Sequence, residues 1–222
     1  MFNVSLEQLM SEEDLKRCAI VESRIPLFGE KTEEVCRNWL SWFDHYQSRV
    51  NPAFHYRTDF RSKENQEFAL QSVSLRVQLG AIAKNINRGK GKAVELYSGI
   101  GIPAAAYTLL SGQPAICIEG HPADCQKGKD LFNQLDFRTM DVTDFLPLKE
   151  VTSEGVIIMA YGAKQREVMS YLFKNNLSGG IFLNGYSNNA RRGYTLWSFL
   201  QGYKTHFYDL DKIQTLMRVE RK

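Results

Sequence analysis

The sequence predicts an α/β protein: a doubly wound, mostly parallel sheet with an antiparallel last strand, preceded by an amino-terminal helical cap. Three observations predict it. From Ala93 onward, short apolar runs alternate with helix-prone segments across short links, which is the texture of a parallel sheet. The first run, AVELYSGIGIP from Ala93 to Pro103, breaks into a glycine turn and re-enters an Ala-rich helical segment. Strand, glycine turn, helix is how such sheets open a nucleotide site. The last two strands then follow each other closely, as an antiparallel edge requires.

Taken in order, the chain divides at about residue 87, with a helical cap over 1–87 and a Rossmann-like domain over 88–222. Ser5 and Ser11 are N-cap candidates, the latter with Asp14 three residues on. Thr32 to Val50 places Val35, Trp39, Leu40, Trp42, Phe43 and Tyr46 at helical spacing, and Asn51-Pro52 ends that helix. A third helix carries Phe68, Leu70, Val73, Leu75, Val77, Leu79 and Ile82. Arg88 to Lys92 (RGKGK) reads as a solvated linker. Strands follow at Ala93–Tyr97, Ala115–Glu119, Phe137–Met140, Gly155–Ala160, Gly180–Asn184, Thr205–Tyr208 and Ile213–Val219. Helices fall between the first five, at Pro103–Leu110, Pro122–Gln134 and Lys164–Asn176. This is the class I methyltransferase-like layout.

Composition narrows the function. With 222 residues and 43% apolar content the chain can bury one sizeable core plus an appendage. A net charge of +3, without a concentrated basic face, does not suggest a nucleic-acid partner. No apolar run approaches a membrane span, and Met1 to Met10 lacks the character of a signal peptide. Cys18, Cys36, Cys117 and Cys125 have no CxxC spacing, which fits free thiols in a reducing cytoplasm. His45, His55, His121 and His206 share no ligand spacing, so no metal is expected.

The cofactor site is read from strand ends. Gly99 and Gly101 let the backbone approach a ligand closely, and the helix beyond supplies free N–H groups. Glu119 ends the second strand at the distance from the glycines where an acidic residue hydrogen-bonds ribose hydroxyls. Asp141 and Val142, past the third strand, are candidates for the adenine amine and ring. Asp144 competes, and an N-cap role is the plain structural alternative for either acid. Glu95, Tyr97, Ser98, Gly120 and Ala160 complete the expected lining. The ligand expected is S-adenosylmethionine. The fourth strand ends Ala160-Tyr161-Gly162-Ala163, where base methylases carry a Pro-Cys or an Asn/Asp-Pro-Pro to grip a flipped base. A nucleic-acid methyltransferase is therefore disfavoured.

From Gly155 the chain runs GVIIMAYGAKQREVMSYLFKNNLSGGIFLNGYSNNARRGYTLW and closes KIQTLMRVERK. This order resembles the nicotianamine synthase family over roughly Ala93 to Lys222, and its azetidine-2-carboxylate synthase branch in particular. The glycine loop departs, with SGIGIP where those synthases have a GSGPLP-like run. The resemblance implies an S-adenosylmethionine-consuming cyclase with a small-molecule substrate, and it implies that Tyr161 and Ser187 lie beside the aminocarboxypropyl group. There their hydroxyls would orient the α-amine lone pair and pass on its proton. A small-molecule methyltransferase and an intermolecular aminocarboxypropyl transferase are the alternatives. Arg191 or Arg192 is a candidate for the carboxylate, with a solvated loop pair as the competing reading. Tyr56, Phe60 and Glu64 are candidate contacts from the cap. Trp39 and Trp42 read as core packing rather than a cap over the sulfonium.

Overall fold

The computed structural model describes residues 76, 79–148, 150–160, 164–209 and 215–222. The expectations for residues 1–75, including Trp39, Trp42, Tyr56, Phe60, Glu64, Cys18 and Cys36, lie outside the described residues, as does Tyr161.

A helical segment, α1 (79–86), leads into the sheet. The elements that follow are β1 (Ala93–Leu96), α2 (Ile102–Ser111), β2 (Ala115–Glu119), α3 (Pro122–Leu131), β3 (Asp136–Thr139) and α4 (Val142–Phe145). After a short 3-10 turn come β4 (Val156–Met159), α5 (Gln165–Lys174), β5 (Gly179–Asn184), α6 (Asn188–Leu200), β6 (Tyr203–Asp209) and β7 (Thr215–Arg221). The seven strands lie in the order β3-β2-β1-β4-β5-β7-β6. β7 runs antiparallel to both of its neighbours, while β3, β2, β1, β4 and β5 are mutually parallel. Fold class and strand sequence agree with the expectation, within a residue or two at most strand ends.

The central strands are covered on both faces, so they read as continuous apolar runs rather than as alternations. Every residue of β1, β2 and β4 is buried. One face packs Leu79, Ile82, Ala105 and Tyr107 against Cys117, Ile158 and Ile181. The other packs Val168, Leu172 and Phe145 against Leu96, Ile118, Ile157 and Phe182. α1 belongs to the first of these faces. Its Gly80 is the point of closest approach: a Cβ there would stand 2.3 Å from the Pro103 carbonyl and 2.8 Å from Ala106 Cβ. Glycine is the residue that lets α1 seat directly on the first turn of α2.

α6 is an element that the sequence reading left without secondary structure. Tyr194 and Trp197 pack against the core, but further apolar residues on the opposite side blur the period that would reveal it. Leu196, Phe199 and Leu200 are exposed, while the helix buries Ser198. Cys117 and Cys125 are buried free thiols. Among the described residues no group of three or more His, Cys, Asp or Glu could hold a metal, and no helix is long and apolar enough to cross a membrane.

Candidate functional site at the carboxyl edge of the sheet

Because β1 to β5 are parallel, every connection that follows one of them opens on the same edge. The glycine turn after β1, Glu119 at the end of β2, Asp141 after β3, Ala160 after β4 and Ser187 after β5 all lie there. Strand order reverses between β1 and β4, so the crevice where such sheets hold ligands falls beside the glycine turn.

The turn itself is tightly held. Tyr97 has φ 54, an uncommon left-handed conformation for a residue with a side chain, and it re-aims the chain as β1 ends. Ser98 N–H donates to the Ile118 carbonyl at 3.0 Å, and Gly101 N–H closes a turn onto the Ser98 carbonyl at 2.9 Å. Gly101 has φ 79, and a Cβ there would meet the Phe137 ring at 2.7 Å and Cys117 Sγ at 3.0 Å. Neither the backbone angle nor the space admits another residue.

Two carboxylates brace this segment, Glu119 on the turn and Glu95 on the first turn of α2. Glu119 is 4% exposed. Its Oε2 accepts from Gly99 N–H at 2.8 Å and its Oε1 from His121 N–H at 2.9 Å. Glu119 thus serves the turn itself, and each oxygen keeps a lone pair for a further donor. Glu95 is fully buried in β1, and its Oε2 accepts from Ala104 N–H at 2.9 Å. Gly101 offers α2 no side-chain cap and Pro103 has no N–H, so Glu95 supplies a remote cap for that helix. Burial pushes the Glu95 carboxyl up to about 8, against the opposing pull of the Ala104 N–H and the Arg76 charge.

Asp141 behaves differently. It is the N-cap of α4, where Oδ1 accepts from Thr143 N–H at 2.8 Å and from the Thr143 hydroxyl, with Lys164 Nζ 3.3 Å away. These hydrogen bonds hold its carboxyl down at about 2. All of them fall on Oδ1. Val142 is buried directly behind it. Gly120 is exposed and has open space where a Cβ would stand.

Ser187 is exposed and is the N-cap of α6, its Oγ accepting from Ala190 N–H at 3.2 Å. That bond fixes where the hydroxyl stands and leaves its proton to donate. The preceding Tyr186 is buried, and its hydroxyl accepts from Gln165 Nε2 at 2.7 Å. Burial pushes the Tyr186 phenol well above its ordinary range. Arg191 is on a helix rather than in a loop. Its guanidinium forks onto Asp209, donates to Thr215 Oγ1 at 3.0 Å and lies 5.7 Å from the Phe207 ring centre. Its Nε donates to the Tyr186 carbonyl at 3.2 Å. Arg191 therefore clamps α6 to β6 and β7, and its fork is occupied. Arg192 is exposed.

Two residues in this region escape the sequence reading, Arg76 and Gly80. A glycine inside an otherwise helical run, RVQLGAIAK, was the available signal for the second. Arg76 had none, because nothing local marks a buried arginine.

Strand order, the single antiparallel strand and the glycine turn define the class I methyltransferase fold. Neither a protein-family model nor a curated protein sequence matches the chain. Among solved structures it is similar to PH1948 from Pyrococcus horikoshii, a candidate RNA methyltransferase: TM-score 0.51 and 15% identity, covering 66% of this chain and 84% of that one. The METTL16 methyltransferase domain is similar with TM-score 0.54 and 9% identity, over 67% of this chain and 68% of that one. MtNAS in complex with MTA and tNA aligns at the lower TM-score of 0.49, with 14% identity over 72% of this chain and 66% of that one. At these identities the likeness is one of fold.

Proposed function

We propose that the chain consumes S-adenosylmethionine, forming azetidine-2-carboxylate and methylthioadenosine by attack of the α-amine on the γ-carbon of the same molecule. What supports the ligand is the pinned glycine turn with Glu119 at the β1–β4 crevice. The observation that carries the cyclisation is Ser187. The run that resembles the nicotianamine synthase family brings this hydroxyl to the same edge as the turn, held still by its helix-capping bond.

The four-membered ring forms only if nitrogen, γ-carbon and sulfur are held nearly in line, so most of the rate comes from orientation. In this reading the Ser187 and Tyr161 hydroxyls direct the amine lone pair and relay its proton. The C–S bond breaks as the C–N bond forms, and the electron pair leaves on sulfur as the neutral thioether. Glu119 and the turn hold the nucleoside, and Asp141 offers its Oδ2 toward the adenine amine.

A second reading is a methyltransferase with a separate acceptor. A cleft of about 640 Å³ between α5 and α6 favours it, lined by Arg166, Asn189, Tyr194 and Trp197 among others, and beginning two residues from Ser187. An intramolecular reaction needs no such space. The similar structures include a candidate RNA methyltransferase, so an RNA acceptor belongs among those tested beside small molecules.

One incubation separates the readings: purified protein with S-adenosylmethionine alone, products read by mass spectrometry. Methylthioadenosine with azetidine-2-carboxylate is the expected result. S-adenosylhomocysteine formed only after an acceptor is added would replace the cyclase with the methyltransferase. Methylthioadenosine formed only with an added amine would make it an intermolecular transferase. In the same assay Tyr161→Phe is expected to slow turnover roughly 100-fold or more with little change in KM; unchanged turnover removes Tyr161 from the mechanism.

A further inference from the structure

An intramolecular cyclisation has no use for the cleft of about 640 Å³ between α5 and α6. α5 follows β4 and α6 follows β5, and these two strands are parallel. The helices therefore run in the same direction, with their amino-terminal ends at the carboxyl edge of the sheet. Arg166 and Asn189, in the first turns, line the end of the cleft at that edge, and Ser170 and Gly193 follow about one turn further in. Tyr194 and Trp197 line the far end. Asn189 to Trp197 spans about 12 Å at the helical rise per residue.

The far end is aromatic and fixed. Tyr194 and Trp197 are half-buried, with ring centres 6.4 Å apart and planes tilted by 37°. The buried Tyr186 ring braces Tyr194 at 5.8 Å and the buried Phe173 ring braces Trp197 at 5.0 Å, both in T-shaped contact. Rings already held by neighbours lose little freedom when a flat ring system packs on them. The middle of the cleft is open because residue 193 is glycine: a Cβ there would meet nothing within 4 Å. Glycine inside a helix is destabilising relative to alanine, and at 193 neither a left-handed φ nor a close contact asks for it. What it supplies is room along the cleft.

The near end is positive. Arg166 lies in the first turn of α5, where a cation opposes the helix dipole. It is exposed, and among the described residues no hydrogen bond or ion pair holds its guanidinium. Glu167, the acid of the same turn, does not line the cleft, and the first turn of α6 has no acid. Two helix starts and a guanidinium favour an anion, and the Asn189 amide can add a hydrogen bond.

We propose that the cleft between α5 and α6 is a binding site for a flat aromatic molecule carrying a carboxylate or phosphate. The ring packs on Tyr194 and Trp197 across Gly193, and the anionic group meets Arg166 and Asn189 at the carboxyl edge. A volume of about 640 Å³ is the size of a small-molecule site, and a wall of rings with a few polar groups at one end is the usual build of one. The inference stands on the cleft alone and not on which carbon of the sulfonium is attacked.

The test uses the full chain and three probes that share one ring system: 2-naphthyl phosphate, 2-naphthoate and 2-naphthol, titrated by calorimetry at neutral pH. The tighter of the two anions is expected to bind roughly 5- to 30-fold more tightly than naphthol, and which anion it is identifies the head group. Gly193→Leu fills the middle of the cleft and is expected to weaken that anion about 10-fold or more. Arg166→Gln is expected to bring it down to the level of naphthol while naphthol stays within about two-fold. Position 193 is open and leucine is the better helix former, so Gly193→Leu is expected to keep its fold, checked by thermal unfolding. Should it not fold, the head-group comparison in Arg166→Gln decides alone. Naphthol bound as tightly as both anions would overturn the proposal, as would unchanged anion binding by a folded Gly193→Leu. Wild-type protein that binds none of the three probes would overturn it as well, and would leave the S-adenosyl reading untouched.

Discussion

Glu119 ends β2 at 4% exposure with a backbone N–H on each carboxylate oxygen; Asp141, one strand over, has a side chain 53% exposed and turns a single oxygen back onto the helix it begins. Both are acids at the carboxyl ends of parallel strands, and both look alike in sequence. The neighbouring strands make the difference. β2 has β1 on one side and β3 on the other, so the glycine turn lies directly across from its last residue. β3 is the sheet's edge, and Asp141 after it spends its bonds capping its own helix, with Lys164 Nζ at 3.3 Å as its partner from another connection. An interior strand end can build a ligand loop from two chain segments.

The strongest way to break this comparison is Glu119→Ala. It leaves the Gly99 and His121 amides without their acceptor, which is expected to cost roughly 2–5 kcal/mol in urea denaturation and to abolish calorimetric binding of S-adenosylhomocysteine. Binding that survives would mean the turn holds its shape unaided. Gly80→Ala follows, since it drives a Cβ into the backbone of α2, with an expected loss of about 1–3 kcal/mol despite the better helix propensity of alanine.

Glu95 sharpens the contrast through pH. Its carboxyl is raised to about 8 in the folded protein from 4.5, so the folded state favours the protonated form. Its contribution to stability is complete below about pH 4.5 and is lost as pH rises through about 8. Glu95→Gln should remove that part of the slope when stability is measured across this range; an unchanged slope would show that Glu95 is not its source. The smallest effect belongs to Asp141. Asp141→Ala is expected to cost about 0.5–2 kcal/mol as a lost helix cap and to weaken S-adenosylhomocysteine far less than Glu119→Ala does. Its lowered pKa, about 2 against 3.8, gives a contribution present above pH 3.8 and lost as pH falls through about 2. Asp141→Asn should keep the cap and abolish that acid limb, a modest change at a half-exposed site. Equal losses of binding from Asp141→Ala and Glu119→Ala would end the distinction between the two strand ends.

Local chemistry made most of the fold readable. Apolar runs of strand length, helix stops such as Leu177-Ser178-Gly179-Gly180 and the glycine turn after β1 each act over a few residues, so residue type alone specifies them. The positions of Glu119, Asp141 and Ser187 at strand ends follow from the same pattern once the strands are parallel. α6 was not readable, because its exposed Leu196, Phe199 and Leu200 and its buried Ser198 mask the period that core-facing Tyr194 and Trp197 set. Nor were the partners of the charged groups. Arg191 with Asp209 and Glu119 with Gly99 are 18 and 20 residues apart, and each is brought together by strand order or helix packing. Electrostatic pairing acts through space and leaves no period along the chain. Residue type announced a glycine turn with an acid nearby; only the assembled sheet decided that Glu119 would hold the turn and that Asp141 would cap its own helix.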